Sequence, residues 1–197
     1  MTEPASAPTG WTRRRALLFA LAMSPVLALV GLLAWGLVAT GGTPGGLAEF
    51  NETAEQPVTL QRTPAYSGFD ISGSGVVNNA TLAGKVVVVD FWSSWCVACR
   101  LEAESLAAVQ REYAGQGVEF VGIAIWDDAG ASLRHIERYG VGYPNLLDAD
   151  GRLGVSFGVR GVPEKFFLDR EGRIVRKIIG PMSPEALRAA LDALLAS

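Results

Sequence analysis

The chain has 197 residues, 49% of them hydrophobic and 19% charged, and its 17 Lys and Arg against 20 Asp and Glu leave a formal net charge of −3. That length suits one domain plus an appendage, and the composition disfavours disorder, an interaction tail and a nucleic-acid surface. Two cysteines and a single histidine exclude a disulfide-rich mini-fold and a zinc site built on four cysteines or on paired cysteines and histidines, so the cysteines act as a pair.

Residues Ala16 to Ala39 form an uncharged, mostly apolar run that as a helix would span roughly 36 Å, enough to cross a bilayer with some tilt. A signal-peptide core is shorter, about 7–15 residues. The run therefore predicts an uncleaved signal-anchor over residues 16–39, although Ala39-Thr40-Gly41 offers a weak cleavage site. Arg13, Arg14 and Arg15 precede the run, and the first charges after it are Glu49, Glu52 and Glu55. The positive-inside rule then keeps residues 1–15 in the cytoplasm and the remainder outside. Thr12-Arg13-Arg14-Arg15-Ala16-Leu17 partly matches a twin-arginine export signal, which predicts the same side. The Gly-rich stretch that follows, residues 40–56, reads as a flexible tether reaching roughly 23 Å, and residues 57–197 read as the domain.

Within the domain, Lys85 to Trp92 and Val118 to Ile125 are β-branched apolar runs, as strands buried on both faces require. Between them, Glu102, Leu106, Val109 and Tyr113 follow Cys99 at steps of three and four, a helical stripe ending before Gly115 and Gly117. A short helix is predicted over Ala131 to Tyr139, with His135 beside Arg134 on its solvent face. Lys165 to Asp169 and Arg173 to Ile179 predict an antiparallel hairpin. Ser183 and Pro184 start a last helix as N-cap and first residue, running to Leu195. Residues 57 to 84 are expected to add an N-terminal hairpin. The order β-α-β-α-β-β-α predicts an α/β fold with a central mixed sheet flanked by helices.

Cys96-Val97-Ala98-Cys99 lies where the first strand meets the first helix. The sulfur of Cys96 then meets the helix N-terminus, whose dipole favours thiolate. Three residues on, Cys99 is placed to close a disulfide by attacking a mixed disulfide. This predicts Cys96 as the exposed nucleophile and Cys99 as the resolving thiol. The competing readings are half a zinc site, for which no second cysteine pair exists, and an inert structural disulfide; covalent haem attachment would need His where Arg100 stands.

The run Val89-Asp90-Phe91-Trp92-Ser93-Ser94-Trp95-Cys96-Val97-Ala98-Cys99-Arg100, with Gly161-Val162-Pro163 and Phe166-Phe167-Leu168-Asp169 further on, resembles the thioredoxin superfamily. Within that superfamily, the anchored domain is similar to the TlpA/ResA/CcmG (DsbE) group. Ala98 stands where many of that group have Pro, and Asp90 where they often have Asn. The resemblance implies a thioredoxin-like fold preceded by one transmembrane helix. It also implies that Pro163 is a cis-proline facing the cysteines and that Val162 exposes its backbone to pair with a substrate strand.

Glu102, an acid on the apolar stripe, implies proton delivery, or else a helix-start acid stabilised by the dipole. Asp90 implies an acceptor for the proton of Cys99, as in thioredoxins, or else an acid satisfied by a loop. Trp95 is expected to cover the active-site surface. Glu164 is expected either to contact substrate or to be a solvated surface acid.

By this resemblance the chain is a membrane-anchored, extracytoplasmic thiol–disulfide oxidoreductase acting as a reductant, with no cofactor and no metal. Its implied partners are a transmembrane electron donor of the CcdA/DsbD type and an exported protein bearing a C-x-x-C disulfide, such as apocytochrome c during cytochrome c maturation. The alternative is a copper-binding metallochaperone, or a reductant of copper-site cysteines, since paired thiolates suit Cu(I).

Overall fold

A computed structural model describes residues 13–39, 48–49, 53–56, 58 and 61–196. Expectations for residues 1–12 and for the tether over 40–47 and 50–52 lie outside the described residues. The chain divides into two units, residues 1–45 and 46–197. The first holds helix α1 (Arg13–Ala39), which takes in the arginine triplet. Its stretch Leu17–Trp35, of mean hydropathy 2.5, is long and apolar enough to cross a membrane.

The second unit runs in order through β1 (Ala48–Glu49), β2 (Ala54–Gln56), β3 (Gln61–Arg62), β4 (Ser67–Phe69), β5 (Val76–Asn78), β6 (Val86–Trp92), α2 (Val97–Tyr113) and β7 (Val118–Ile125). It continues with α3 (Ala129–Tyr139), β8 (Asn145–Asp148), α4 (Arg152–Phe157), β9 (Gly161–Val162), β10 (Glu164–Leu168), β11 (Arg173–Ile179) and α5 (Pro184–Leu195). Among the described residues the main sheet has the order β2-β11-β10-β6-β7-β8, with β3 also paired to β11. β6, β7 and β8 are parallel to one another, whereas β10 runs antiparallel to both β6 and β11.

Alternation in β6 divides the core. Val86 and Val88 pack with Leu106, Val109 and Phe167 and with Leu187 and Leu191 of α5. Val87, Val89 and Phe91 join Ile123, Leu146, Phe157 and Phe166 on the other face, together with Tyr66 and Val77 of the N-terminal segment. The stripe Glu102, Leu106, Val109, Tyr113 is buried along α2. Ser183 caps α5 through Ala186 N, with Pro184 in its first turn.

The structure departs from the sequence expectation in three places. β8 and α4 were not expected, because Asn145 and Asp148 break the apolar run. Both are buried nonetheless. Asn145 accepts from Trp92 Nε1 at 2.9 Å and donates its own backbone N–H to Asp70 Oδ1 at 2.8 Å. Asp148 accepts from Leu153 N and Gly154 N at the start of α4. The sheet also begins earlier than residue 57: β2 pairs with β11 and β1 pairs in parallel with β9, within the stretch expected to be tether.

His135 faces inward, not toward solvent. It is 7% exposed and stacked on Trp92, with ring centroids 4.3 Å apart. α3 presents Ser132, His135 and Ile136 to the domain, and aromatic stacking holds a neutral imidazole where a charged one would be desolvated.

Two predictions concern stability. A Cβ at Gly122 would lie 1.8 Å from Asn145 Oδ1 and 2.8 Å from Trp92 Nε1. Gly122→Ala should therefore break the Trp92–Asn145 bond and cost about 2–4 kcal/mol in denaturant unfolding. Burial lowers the His135 pKa from 6.5 to about 4, against the pull of Asp127. The unfolded chain binds the proton first, so this contribution is complete above pH 6.5 and is lost as pH falls toward 4. It amounts to about 3 kcal/mol over that window. His135→Phe should flatten that part of the stability–pH curve, and an unchanged slope would show that the imidazole is not the titrating group.

Candidate active site

The site stands at the C-terminal ends of the parallel strands β6 and β7, where open α/β sheets leave a crevice. β6 ends at Trp92, and the chain turns through Ser93, Ser94 and Trp95 into α2. Ser93 Oγ donates to Ile125 O at 2.5 Å. The Asp127 carboxylate accepts from Ser94 N at 2.6 Å, Ser94 Oγ at 2.8 Å and Ser132 Oγ at 3.0 Å. The turn is thereby tied to the end of β7 and to α3. Trp95 is 38% exposed, and its Nε1 donates to Trp126 O at 3.2 Å.

Cys96 is the N-cap of α2, and its Sγ accepts from Cys99 N at 3.0 Å. Cys96 and Cys99 form a disulfide with their Cα atoms 5.3 Å apart. Once the disulfide opens, the same N–H and the helix dipole favour negative charge on Cys96. The expectation that Cys96 is exposed is corrected. In this disulfide form Cys96 is 0% and Cys99 2% exposed, because both sulfurs pack into the apolar cluster that holds Trp92, Ala98 and Val162.

The Val162–Pro163 peptide is cis. Val162 does not offer a free backbone edge in this state. It is fully buried, and β1 pairs Ala48 with Gly161 and Glu49 with Val162. Glu164 is not a solvated acid. Its carboxylate is fully buried, 2.8 Å from Lys177 Nζ, and accepts from Arg160 N at 2.7 Å and Gly161 N at 3.2 Å. Strand alternation turns Glu164 to the same face as Phe166, where it fastens the loop before Pro163.

Asp90, Glu102 and Cys99 share one small cavity. With Trp92, His135 and Tyr143 they line a cavity of ≈ 10 Å³, about the room one water requires. Between the two acids lies Lys165, a residue that the sequence places as the first residue of a strand and nothing more. It is 0% exposed, with Nζ 2.5 Å from Glu102 Oε1 and 3.4 Å from Asp90 Oδ1. Glu102 Oε2 accepts from Met182 N at 2.9 Å. Burial pushes both carboxyls above their ordinary range, while Lys165 draws them back down. Burial also works against the charge on Lys165, but the two carboxylates outweigh it and hold the ammonium protonated. Lys165 was legible only through pairing, since the register of β10 against β6 sets it directly opposite Asp90.

Asp127 was likewise missed, although its position two residues after the end of β7 is where a strand-end loop meets the crevice. Among the described residues no group of three or more His, Cys, Asp or Glu is arranged to hold a metal ion.

The sequence profile of the Redoxin family matches residues 61–195. The chain is 35% identical over 142 residues to the thiol:disulfide interchange protein DsbE of Allochromatium vinosum, covering 71% of this chain and 77% of that one. It is 29% identical over 176 residues to the thiol:disulfide interchange protein HelX of Rhodobacter capsulatus, covering 87% and 93%. Among solved structures it is similar to a thioredoxin-family thiol:disulfide interchange protein from Chlorobium tepidum, at 28% identity and a TM-score of 0.63 over 71% of this chain and 99% of that one. With a C-x-x-C disulfide capping a helix at the strand ends of a thioredoxin-like fold, the chain belongs to the Redoxin family and is a thiol–disulfide oxidoreductase.

Proposed function

We propose that this oxidoreductase is anchored in the cell membrane through residues 16–39, faces the extracytoplasmic side and reduces the disulfides of exported proteins, apocytochrome c among them. The observation that carries the reading is the Cys96–Cys99 disulfide at the N-terminus of α2, in one cluster with Val162 of the cis Val162–Pro163 bond. The apolar helix α1 and the arginine triplet before its hydrophobic stretch support the anchoring and its direction.

The electron flow follows from the chemistry of the pair. In the reduced chain the Cys96 thiolate attacks one sulfur of the substrate disulfide, forming a mixed disulfide and releasing the first substrate thiolate. Cys99 gives up its proton and attacks Cys96 Sγ. The bond between Cys96 and substrate breaks, and the second substrate sulfur leaves with the bonding pair. Two electrons have passed to the substrate, and the chain is left as the disulfide described above. Recharging it outside the cytoplasm requires a thiol donor that moves electrons across the membrane, a protein of the CcdA/DsbD type.

Haem attachment to a C-x-x-C-H peptide requires both thiols reduced, which makes such a reductant necessary in an oxidising compartment. An extended substrate peptide pairs with Val162 in the manner of strand addition, so β1 must first release that edge.

Two outcomes test the reading. Cys99→Ala should accumulate mixed disulfides with exported proteins through Cys96, resolved on non-reducing gels, whereas Cys96→Ala should trap none. Equal trapping by both variants would refute the assigned order. Deleting the gene should lower holocytochrome c measured by haem staining, and an added thiol reductant should restore it. Unchanged holocytochrome c in a strain without a second reductase removes this substrate and leaves the exchange chemistry standing.

A further inference from the structure

An open strand edge is a template for any extended chain that meets it, and this domain covers one such edge with its own backbone. Among the described residues β9 pairs with β1 and with no other strand. The pairing is parallel, with Ala48 opposite Gly161 and Glu49 opposite Val162. The strand that fills the edge beside Pro163 thus comes from the stretch before the main sheet, where the sequence reads as tether.

How firmly β1 is held follows from what surrounds it. Its ladder is two residues long and of the parallel kind, which is the less stable kind per residue. The chain just after it is fixed more strongly. β2 pairs antiparallel with β11 over three residues, Ala54 opposite Ile179, Glu55 opposite Ile178 and Gln56 opposite Lys177. Glu55 Oε1 lies 3.1 Å from Arg176 Nε, and Thr53 Oγ1 donates to Pro181 O. β11 is itself tied to the loop that carries Pro163, since Gly180 N donates to Pro163 O at 2.8 Å. Glu49 and Ala54 are five residues apart, so β1 lifted off its edge stays within roughly 17 Å of its anchor on β11. A segment tethered that closely returns at an effective concentration on the order of millimolar.

We propose that β1 is an internal strap, a stretch of this chain that an extended polypeptide must displace from the Val162 edge before it can exchange with Cys96. This rests on the reading of Val162 as the edge where the substrate strand pairs. The strap discriminates by the shape of the reagent. A polypeptide needs the backbone groups of Gly161 and Val162, so it competes with β1 for the same ladder. A small thiol needs the sulfur alone. Both sulfurs are packed in the cluster of Trp92, Ala98 and Val162, side chains supplied by β6, α2 and β9, so losing the ladder of β1 leaves that cover in place. Exchange is therefore slowed toward polypeptides that match the edge poorly and is open to those that outcompete a strand already present at millimolar effective concentration.

The test uses the full-length oxidised chain in detergent beside the variant Ala48→Pro/Glu49→Pro, whose two prolines have no N–H to give to the ladder. β1 lies in a two-stranded ladder apart from the main sheet, so the pairing of the main sheet is untouched. Opening of the Cys96–Cys99 disulfide is followed by acid quenching and maleimide labelling of the new thiols, once with a reduced synthetic peptide containing C-x-x-C-H and once with dithiothreitol. In both reactions a donor thiolate attacks Cys96 Sγ and Cys99 leaves with the bonding pair. The second donor thiol then closes the donor's own disulfide as Cys96 is released. The peptide should open the variant about tenfold faster than the unaltered chain, as the loss of one or two ladder bonds allows, while dithiothreitol opens both equally fast. Measurable peptide rates that coincide in the two chains overturn the inference. Acceleration by the same factor with dithiothreitol also overturns it, because β1 would then only hold the site closed. A peptide that opens neither chain while dithiothreitol opens both defeats the strand-addition reading and the strap with it, an outcome distinct from coincident rates.

Discussion

A fully buried ammonium cannot stand alone in the centre of a sheet, and much of the active-site end of this domain is arranged around that constraint. Lys165 on β10 needs counter-charge within a few ångströms. It receives one carboxylate from the facing strand β6 and one from α2. The second carboxylate also holds Met182 N, just before α5. One small group of charges thus joins the two central antiparallel strands, the helix carrying the cysteines and the entry to the last helix. A shift of β10 by one residue would turn Lys165 to the opposite face and break this arrangement together with the apolar packing.

The cysteine pair gains its setting from this frame and from a second network on its other side. Asp127, at the end of β7, fastens the turn before Cys96 through both serine donors and α3 through Ser132. The nucleophile is therefore presented by a turn held at several points. Glu164 does the same for the loop leading into cis-Pro163, with Lys177 balancing its charge. A carboxylate that accepts several backbone N–H groups is an effective way to fix a loop, because each bond is charge-assisted.

These pieces also explain why the disulfide form is closed. The sulfurs pack with Val162 and Trp92, and β1 occupies the edge beside Pro163. Behind the sulfurs, Asp90 and Glu102 stay buried beside Lys165.

Much of the architecture was legible in the sequence. The apolar runs of β6 and β7, the stripe of α2, the hairpin of β10 and β11 and the cap of α5 rest on local periodicity and local hydrogen bonds, which a linear reading can see. So does the cysteine pair at a strand-to-helix junction. β8 and α4 were hidden because Asn145 and Asp148 look like loop residues until their partners, Asp70, Trp92 and the first N–H groups of α4, are brought to them. The solvent-facing reading of His135 failed for a related reason: its neighbour Arg134 suggested a polar face, and only the packing of α3 puts the imidazole on Trp92. Glu164 and Lys165 are adjacent charged residues at the start of a strand, indistinguishable by composition from a solvated edge. Cross-strand register and burial on both faces turned one into a loop fastener and the other into the cation between two acids. The sequence alone determined which groups can carry the chemistry, because covalent character and helix position are local. Which charges meet behind the cysteines was decided only in the tertiary structure, because that depends on groups brought together from β6, α2 and β10.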